Sequence, residues 1–574
     1  MAKQVWAKIR SDRWFTFLLL FPVILVLFAY VLYPSIRTFF LSLGIANLTF
    51  DELTGSFSLG SYFSFFGEAT SFEALKNSVF ISVLSVLLAA VVGVPLAFIF
   101  NRFDFPGRSF FSSIAIMPIV LPSLVGVLAF YILYGETGLV TRFIQDLFQM
   151  DSAPFSIGGV PGILLVHTYT EYVYFYVTVS AAIRNLNPAL EEAATNLGAK
   201  PITVFFKVTL PMLTPALIAS SLLVFMTSMA SFSAPFILGD GVRVLSVEIY
   251  NSKLNNALEM AAVQSVILSV ISIAFLLFMR WYQNRRDYRM SEKGVSAQRK
   301  EIRNPFIKWI LVTIAIIGVV ILLLPHLTLI LLSFVPDGTW TIQPYPTEFS
   351  LFNYEQLLVD PSTWEPVQNS LWMATVATIG NFFFGVLASY VLVKRKFRGK
   401  NLVEVIVMLP WSLPATVVAI NLIFAFNQPS VFTFNNILVG TFWILPLAYF
   451  VRHIPLVVRS TSAALEQLDD SLEEAAQNLG ATWFYTFRKV VLPIILPGIM
   501  AGALLAFVTS VGEYVSSVLL FTYDNRPISI EIDSYLRQFN LGQASAYAVY
   551  QIILIGAVMF ISEKFFGVKA EKSL

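Results

Sequence analysis

Leu190-Glu191-Glu192-Ala193-Ala194-Thr195-Asn196-Leu197-Gly198-Ala199, continuing to Phe206-Lys207-Val208-Thr209-Leu210-Pro211, has a second copy further along the chain. That copy reads Leu472-Glu473-Glu474-Ala475-Ala476-Gln477-Asn478-Leu479-Gly480-Ala481, then Phe487-Arg488-Lys489-Val490-Val491-Leu492-Pro493. The copies lie 282 positions apart, and in both the proline falls thirteen positions after the glycine. Local physics reads each as a short helix. Asn187 can cap the first, Pro188 suits its first helical position, and Glu191 and Glu192 sit near its positive end. Leu190, Ala193, Ala194 and Leu197 share one face at helical spacing. Gly198 and Gly480 end the helices, in the left-handed conformation that glycine adopts without penalty. Asp469 or Asp470 caps the second. A short helix with a small-residue face, set between long apolar stretches, has the build of a docking element.

Those stretches dominate the composition. Of 574 residues, 57% are apolar and only 13% charged, too few charges for a soluble surface of this size. Mean hydropathy is +0.74, and many apolar runs approach the roughly 20 residues that cross a bilayer. The chain reads as an all-α polytopic membrane protein. With no Cys, it has no disulfide, cysteine metal site or thiol chemistry, and three His exclude a histidine-rich metal pathway. The N-terminal apolar run is too long for a removable signal, and no small-residue cleavage site follows it.

Charge segregation sets the topology. Lys3, Lys8, Arg10 and Arg13 precede the first run, and seven basic residues against three acids crowd 283–307. Further basic clusters hold Arg184, Lys200 and Lys207, then Lys394 to Lys400, then Arg452, His453 and Arg459, and finally Lys564, Lys569 and Lys572. Segments 43–73 and 336–365 carry acids and no Lys or Arg. Positive flanks stay cytoplasmic, so both termini and 283–307 are expected inside, and 43–73 and 336–365 outside. About twelve spans satisfy this: 14–36, 75–100, 110–134, 161–183, 211–237, 261–279, 309–334, 367–393, 403–426, 431–450, 493–521 and 544–565. Short surface helices are expected within 43–73 and 140–150. The basic run at 283–307 lies between spans and reads as a linker, not as a nucleic-acid site.

The duplication extends beyond the loops. Asn77-Ser78 matches Asn369-Ser370, Gly107 matches Gly399, and Pro118 and Pro122 match Pro410 and Pro414, all at an offset of 292. The offset then falls to 282, so ten residues are missing from the second half, most simply from the counterpart of 135–159. An even number of spans precedes the second half. The halves, 1–282 and 308–574, are therefore parallel and related by a pseudo-twofold axis along the membrane normal, unlike inverted repeats. A path is expected between them, lined by the third, fourth and fifth spans of each. The twin prolines leave carbonyls without helical partners, which suits either a gate or a bent helix. Glu171 and Glu513 are the carboxylates placed inside spans. Each either lines the path or receives hydrogen bonds that hold helices together.

The duplicated loops resemble the EAA loops of permease subunits of bacterial type I ATP-binding-cassette importers. Glu192, Ala193, Ala194 and Gly198 match the first motif, and Glu474, Ala475, Ala476 and Gly480 the second. The resemblance implies coupling helices seated on a separate ATPase, with Glu191 and Glu473 beside them. It also implies two ATPase copies per fused chain, an extracytoplasmic solute-binding protein and a bacterial inner-membrane location. No Walker loop is present, so the chain is expected to bind no cofactor and to be no enzyme; ATP and Mg belong to the partner ATPase. Ser231-Phe232-Ser233-Ala234-Pro235 and Gly512-Glu513-Tyr514-Val515-Ser516-Ser517 most resemble segments of iron(III) permeases. Thiamine, aminoethylphosphonate, polyamine and sulfate permeases have similar loops. An ion-coupled secondary transporter would not need paired docking loops, and no cluster of reactive groups supports a membrane enzyme.

Overall fold

The computed structural model describes residues 2–45, 47–48, 53–54, 57–285, 300–302, 304–340 and 345–566. Most of the linker 283–307 and the last lysines, Lys569 and Lys572, lie outside them, as do the side chains of the basic N-terminal residues. Helices dominate. Among the described residues nine are long and apolar enough to span a membrane, and ten if one bent pair is a single span. The expected twelve is not reached, for a physical reason. The fourth and tenth segments are the long helices Gly159–Arg184 and Ile444–Glu466. They are enclosed by neighbouring helices and carry Tyr, Thr, His, Glu and Arg. A helix shielded from lipid does not need an apolar surface all round.

Other boundaries also move. The tenth helix does not fill 431–450. A 3₁₀ turn, Val431–Thr433, stands there, and the helix begins at Ile444. Arg452 and His453, expected beyond the end of the span, therefore lie inside the helix. The fifth and eleventh helices stop at Met229 and Val511, and the short helices Ser233–Leu238 and Val515–Leu520 follow. The third and ninth segments break at their prolines. Arg108–Ile114, a 3₁₀ turn at Met117–Val120 and Ser123–Tyr134 replace one span. Lys400–Ser412 and Ala415–Phe426 meet at 108°. Leu121 and Leu413, each before a proline, are forced into extended backbone, which turns the chain. The short helices Gly60–Gly67 and Leu139–Leu147 stand where surface helices were expected. The second of these occupies the extra ten residues of the first half.

Three π-helical turns, Phe28–Leu32, Phe205–Thr209 and Phe487–Val491, each end two residues before a proline, at Pro34, Pro211 and Pro493. A proline has no N–H and its ring collides with the carbonyl four residues back, so a locally widened turn lets the helix continue.

The repeat recurs in packing detail. Ser78 Oγ accepts Leu245 N–H at 2.8 Å, and Ser370 Oγ accepts Ile528 N–H at 2.8 Å. The adjacent Asn77 and Asn369 donate to the carbonyls of Arg243 and Arg526. Each Asn-Ser pair thus pins the start of a span to a short helix, Leu245–Leu254 or Ile528–Arg537. At Gly93 and Gly385, also equivalent, a Cβ would stand 2.4 Å from Tyr172 O and 2.5 Å from Val457 Cγ1. Close helix packing needs glycine at both. The first span of each half crosses to the other: Tyr30 donates to Phe432 O at 3.0 Å, and Tyr169 donates to Leu322 O at 2.7 Å. Phe232 and Tyr514 occupy equivalent positions and touch each other, with ring centroids 6.0 Å apart. Equivalent residues meet in this way only near the symmetry axis.

Candidate coupling and translocation sites

Each duplicated loop forms a nine-residue helix, Pro188–Asn196 and Asp470–Asn478. Asn187 Oδ1 accepts Ala189 N–H at 3.0 Å, and Asp469 Oδ1 accepts Ser471 N–H at 2.9 Å, so Asp469 is the second cap. Those bonds and the nearby Lys394 hold the Asp469 carboxyl below its ordinary pKa. Both helices end alike. Ala199 and Ala481 N–H reach back to Ala194 and Ala476 carbonyls at 3.0 Å, with Gly198 at φ 84° and Gly480 at φ 86°. A Cβ on either glycine would meet nothing within 4 Å. Their requirement in this chain is backbone conformation alone.

The two glutamates of each motif do different work. Glu191 is held by both guanidinium nitrogens of Arg102, one at 2.8 Å, and accepts Thr209 Oγ1 at 2.7 Å. Glu473 lies 3.1 Å from Lys394 Nζ, which also pairs with Asp470. Arg102 and Lys394 are the equivalent last residues of Ala69–Arg102 and Pro361–Lys394. Glu191 and Glu473 therefore clamp the short helices to the ends of long spans. Glu192, Ala193, Glu474 and Ala475 face outward, with Ala194 and Ala476 half-buried behind them. Leu197 and Leu479 are each 89% exposed. The copies differ where Lys200-Pro201 is replaced by Thr482-Trp483. Trp483 stacks on Phe487 and donates to Tyr390 OH at 2.5 Å, bracing the second loop.

The interior holds the predicted carboxylates. Glu171 is buried beside Thr227, one helical turn from His167. The His167 ring lies 2.9 Å from Ser85 Oγ, 3.0 Å from Ser228 Oγ and 2.8 Å from Ser231 Oγ. Glu513 is buried too, with Oε2 3.1 Å from Arg452 Nε and Oε1 accepting Ser516 N–H at 3.0 Å. Tyr174 lies within electrostatic reach of both Glu171 and Arg452, which brings the two halves together. Pro122 also reaches the seam, where a Cβ on Gly512 would stand 3.3 Å from its Cβ. Pro118 lies in the 3₁₀ turn, Pro410 within Lys400–Ser412, and Pro414 at the 108° bend. Tyr172 donates to Ala115 O at 2.7 Å, taking a carbonyl close to the Pro118 break.

Beyond the far end of Pro201–Met229 from the first short helix, aromatics fill the seam. Phe232 stacks on Phe236 at 4.8 Å, and Arg537 of the second half lies 5.1 Å over Phe236 while bonded to Asp533 at 2.8 Å.

The model of the family described as "Binding-protein-dependent transport system inner membrane component" matches residues 89–290 and again 381–567, together more than half of the chain. The chain belongs to this family. It is an ABC importer permease with its two permease domains fused, and a transport component of the membrane, not an enzyme. A probable ABC transporter permease, y4fN of Sinorhizobium fredii, is 28% identical over 496 residues, 86% of this chain and 87% of that protein. The ferric transport permease FbpB of Actinobacillus pleuropneumoniae is 25% identical over 581 residues, 99% of this chain and 81% of that one. The sulfate permease CysT of Salmonella typhimurium is 30% identical over 223 residues, 38% of this chain and 80% of that one.

In this permease, sequence reasoning missed Arg102 and Lys394 as clamps and Arg452 as the partner of Glu513. A signal for Arg452 was present. At the 282 offset it matches Thr170, which lies one residue before Glu171 inside a span.

Proposed function

We propose that this chain is the whole translocation path of an ATP-driven importer, docking one ATPase copy at each of its two short helices. One observation supports this reading above others: two equivalent helices, each clamped by a carboxylate to a long span and each presenting an exposed leucine. A partner that closes on both would push Ala69–Arg102 and Pro361–Lys394 through the Glu191 and Glu473 clamps. The seam between the halves, bounded by Glu171, Tyr174, Arg452 and Glu513, would then open alternately to the two sides. ATP and Mg bind to the ATPase, and a solute-binding protein delivers cargo at the aromatic end. The termini and the linker 283–307 face the cytoplasm.

For cargo we propose iron(III), supported by the ferric permease relative that aligns along nearly the whole chain. A second reading, an oxyanion such as sulfate, draws on the sulfate permease relative matched over part of the chain and on Arg452 at the seam. Proteoliposomes containing this chain, its ATPase and its binding protein decide between them. ATP-dependent uptake of labelled iron(III), without sulfate uptake, is the expected result; sulfate uptake alone overturns the iron assignment. Uptake driven by an ion gradient without ATP overturns the importer reading itself.

A further inference from the structure

A polar cavity of about 160 Å³ opens near the clamped end of the first half. The last turn of Ala69–Arg102, the stub Arg108–Ile114 and the last turns of Gly159–Arg184 form its wall. Arg108, Arg184, Asn101, Ser112, Ser113 and Ser180 line it, with no acid among the lining residues. Arg108 donates to Phe100 O at 2.9 Å, and its Nε lies 3.5 Å from Asp104 Oδ1 at the rim. Asn101 donates to Ser180 Oγ at 2.8 Å.

The second half shows that the fold does not require this chemistry. The same left-handed glycine, Gly399 for Gly107, starts the same helix there. Yet Asn101, Ser112, Ser113 and Arg184 become Val393, Glu404, Val405 and Glu466, and Lys400, which replaces Arg108, lies 3.8 Å from Glu404. In both halves the cation after the glycine has an acid nearby, but the second half places Glu404 and Glu466 where the first has Ser112 and Arg184. The first half thus collects two guanidinium groups and several hydroxyls around a void.

We propose that this cavity binds a phosphate-type oxyanion. Guanidinium forks match such oxygens geometrically, hydroxyls supply further donors, and basic pockets between spans suit lipid head groups. The anion comes either from an anionic phospholipid of the adjoining leaflet or from free phosphate. Asn101 is next to Arg102, which clamps Glu191, so occupancy would bear on the first short helix and not on the second.

Native mass spectrometry of the full chain in phosphatidylglycerol or phosphatidylcholine tests the lipid source. Thermal unfolding in inorganic phosphate or chloride at equal ionic strength tests the free anion. Arg108→Gln with Arg184→Gln should weaken the selective interaction about tenfold or more, the scale of a lost charge-assisted contact. Ser112→Glu, which imports the second-half residue, should do the same and keeps the test valid if the double variant fails to fold. Lys400→Gln should behave as wild type. Phosphatidylglycerol adducts lost only in the cavity variants establish the head group. A phosphate-dependent rise in Tm lost only in those variants establishes the free anion. Equal responses of wild type and cavity variants to both probes overturn the proposal.

Discussion

The two halves share a scaffold and differ in what they place inside it. In the first, Thr170, Glu171 and Ser231 lie near His167, which is surrounded by three serine hydroxyls. The equivalent positions of the second are Arg452, His453 and Glu513, and a half-buried Arg452 there pairs with the buried Glu513. What repeats is what shapes the backbone: caps, left-handed glycines, π turns before prolines and Asn-Ser pins. Several of the polar differences face the seam or the lined cavity. In a duplicated chain, the unshared polar residues are the ones to examine for cargo and regulation.

The largest effect is expected where the halves agree. Gly198→Val with Gly480→Val forces two left-handed positions onto branched side chains, a strain of roughly 1–2 kcal/mol each, which a core of this size tolerates. The chain should still fold, while coupled transport should be abolished and ATPase co-purification weakened. Each single variant should be milder, because the other loop remains. Transport and ATP hydrolysis measured on one preparation check this.

Next comes the interior contrast. Arg452→Ala takes its half-buried partner from the buried Glu513 and should cost about 3 kcal/mol, the lower end for leaving a buried charge unpaired. Thr170→Ala, at the equivalent site, should cost well under half as much. Thermal unfolding of the two variants side by side measures the difference, and equal losses would mean that the ion pair is not a special feature of the second half.

Glu513→Gln should be gentler still, keeping size and the Ser516 bond. Transport should fall while assembly and basal ATP hydrolysis survive. Normal uptake at every substrate concentration would remove the carboxylate from the path. The smallest effects belong to the pins: Ser78→Ala and Ser370→Ala should each cost about 1–2 kcal/mol by leaving a buried N–H unpaired. The two losses should match, and a large inequality in unfolding would break the equivalence drawn from Leu245 and Ile528.

Much of this was legible in the sequence because local rules govern it. Asn187 as the first cap, an aspartate at 469 or 470 as the second, Gly198 and Gly480 as stops, the 292 and 282 offsets and the extra length after Tyr134 all follow from short-range chemistry and self-comparison. The start of the tenth helix was not. Hydropathy favours 431–450, whereas Ile444–Glu466 is sheltered by protein and can carry Arg452 and His453. The clamps could not be read either. Glu191 and Arg102 are far apart in sequence, and only the fold makes them neighbours. The prolines announced a disturbance at 118–122 and 410–414, but a turn of 108° depends on how the flanking segments pack.

The central claim is that the two short helices are the docking points of the ATPase. The chain contains no cysteine, so a single cysteine at Leu197 or Leu479 is uniquely addressable. In complexes assembled with an ATPase bearing a cysteine in its docking groove, each site should cross-link one ATPase copy. The double variant should cross-link two copies to a single permease chain. No cross-link at either site from an active, co-purified complex would contradict the account.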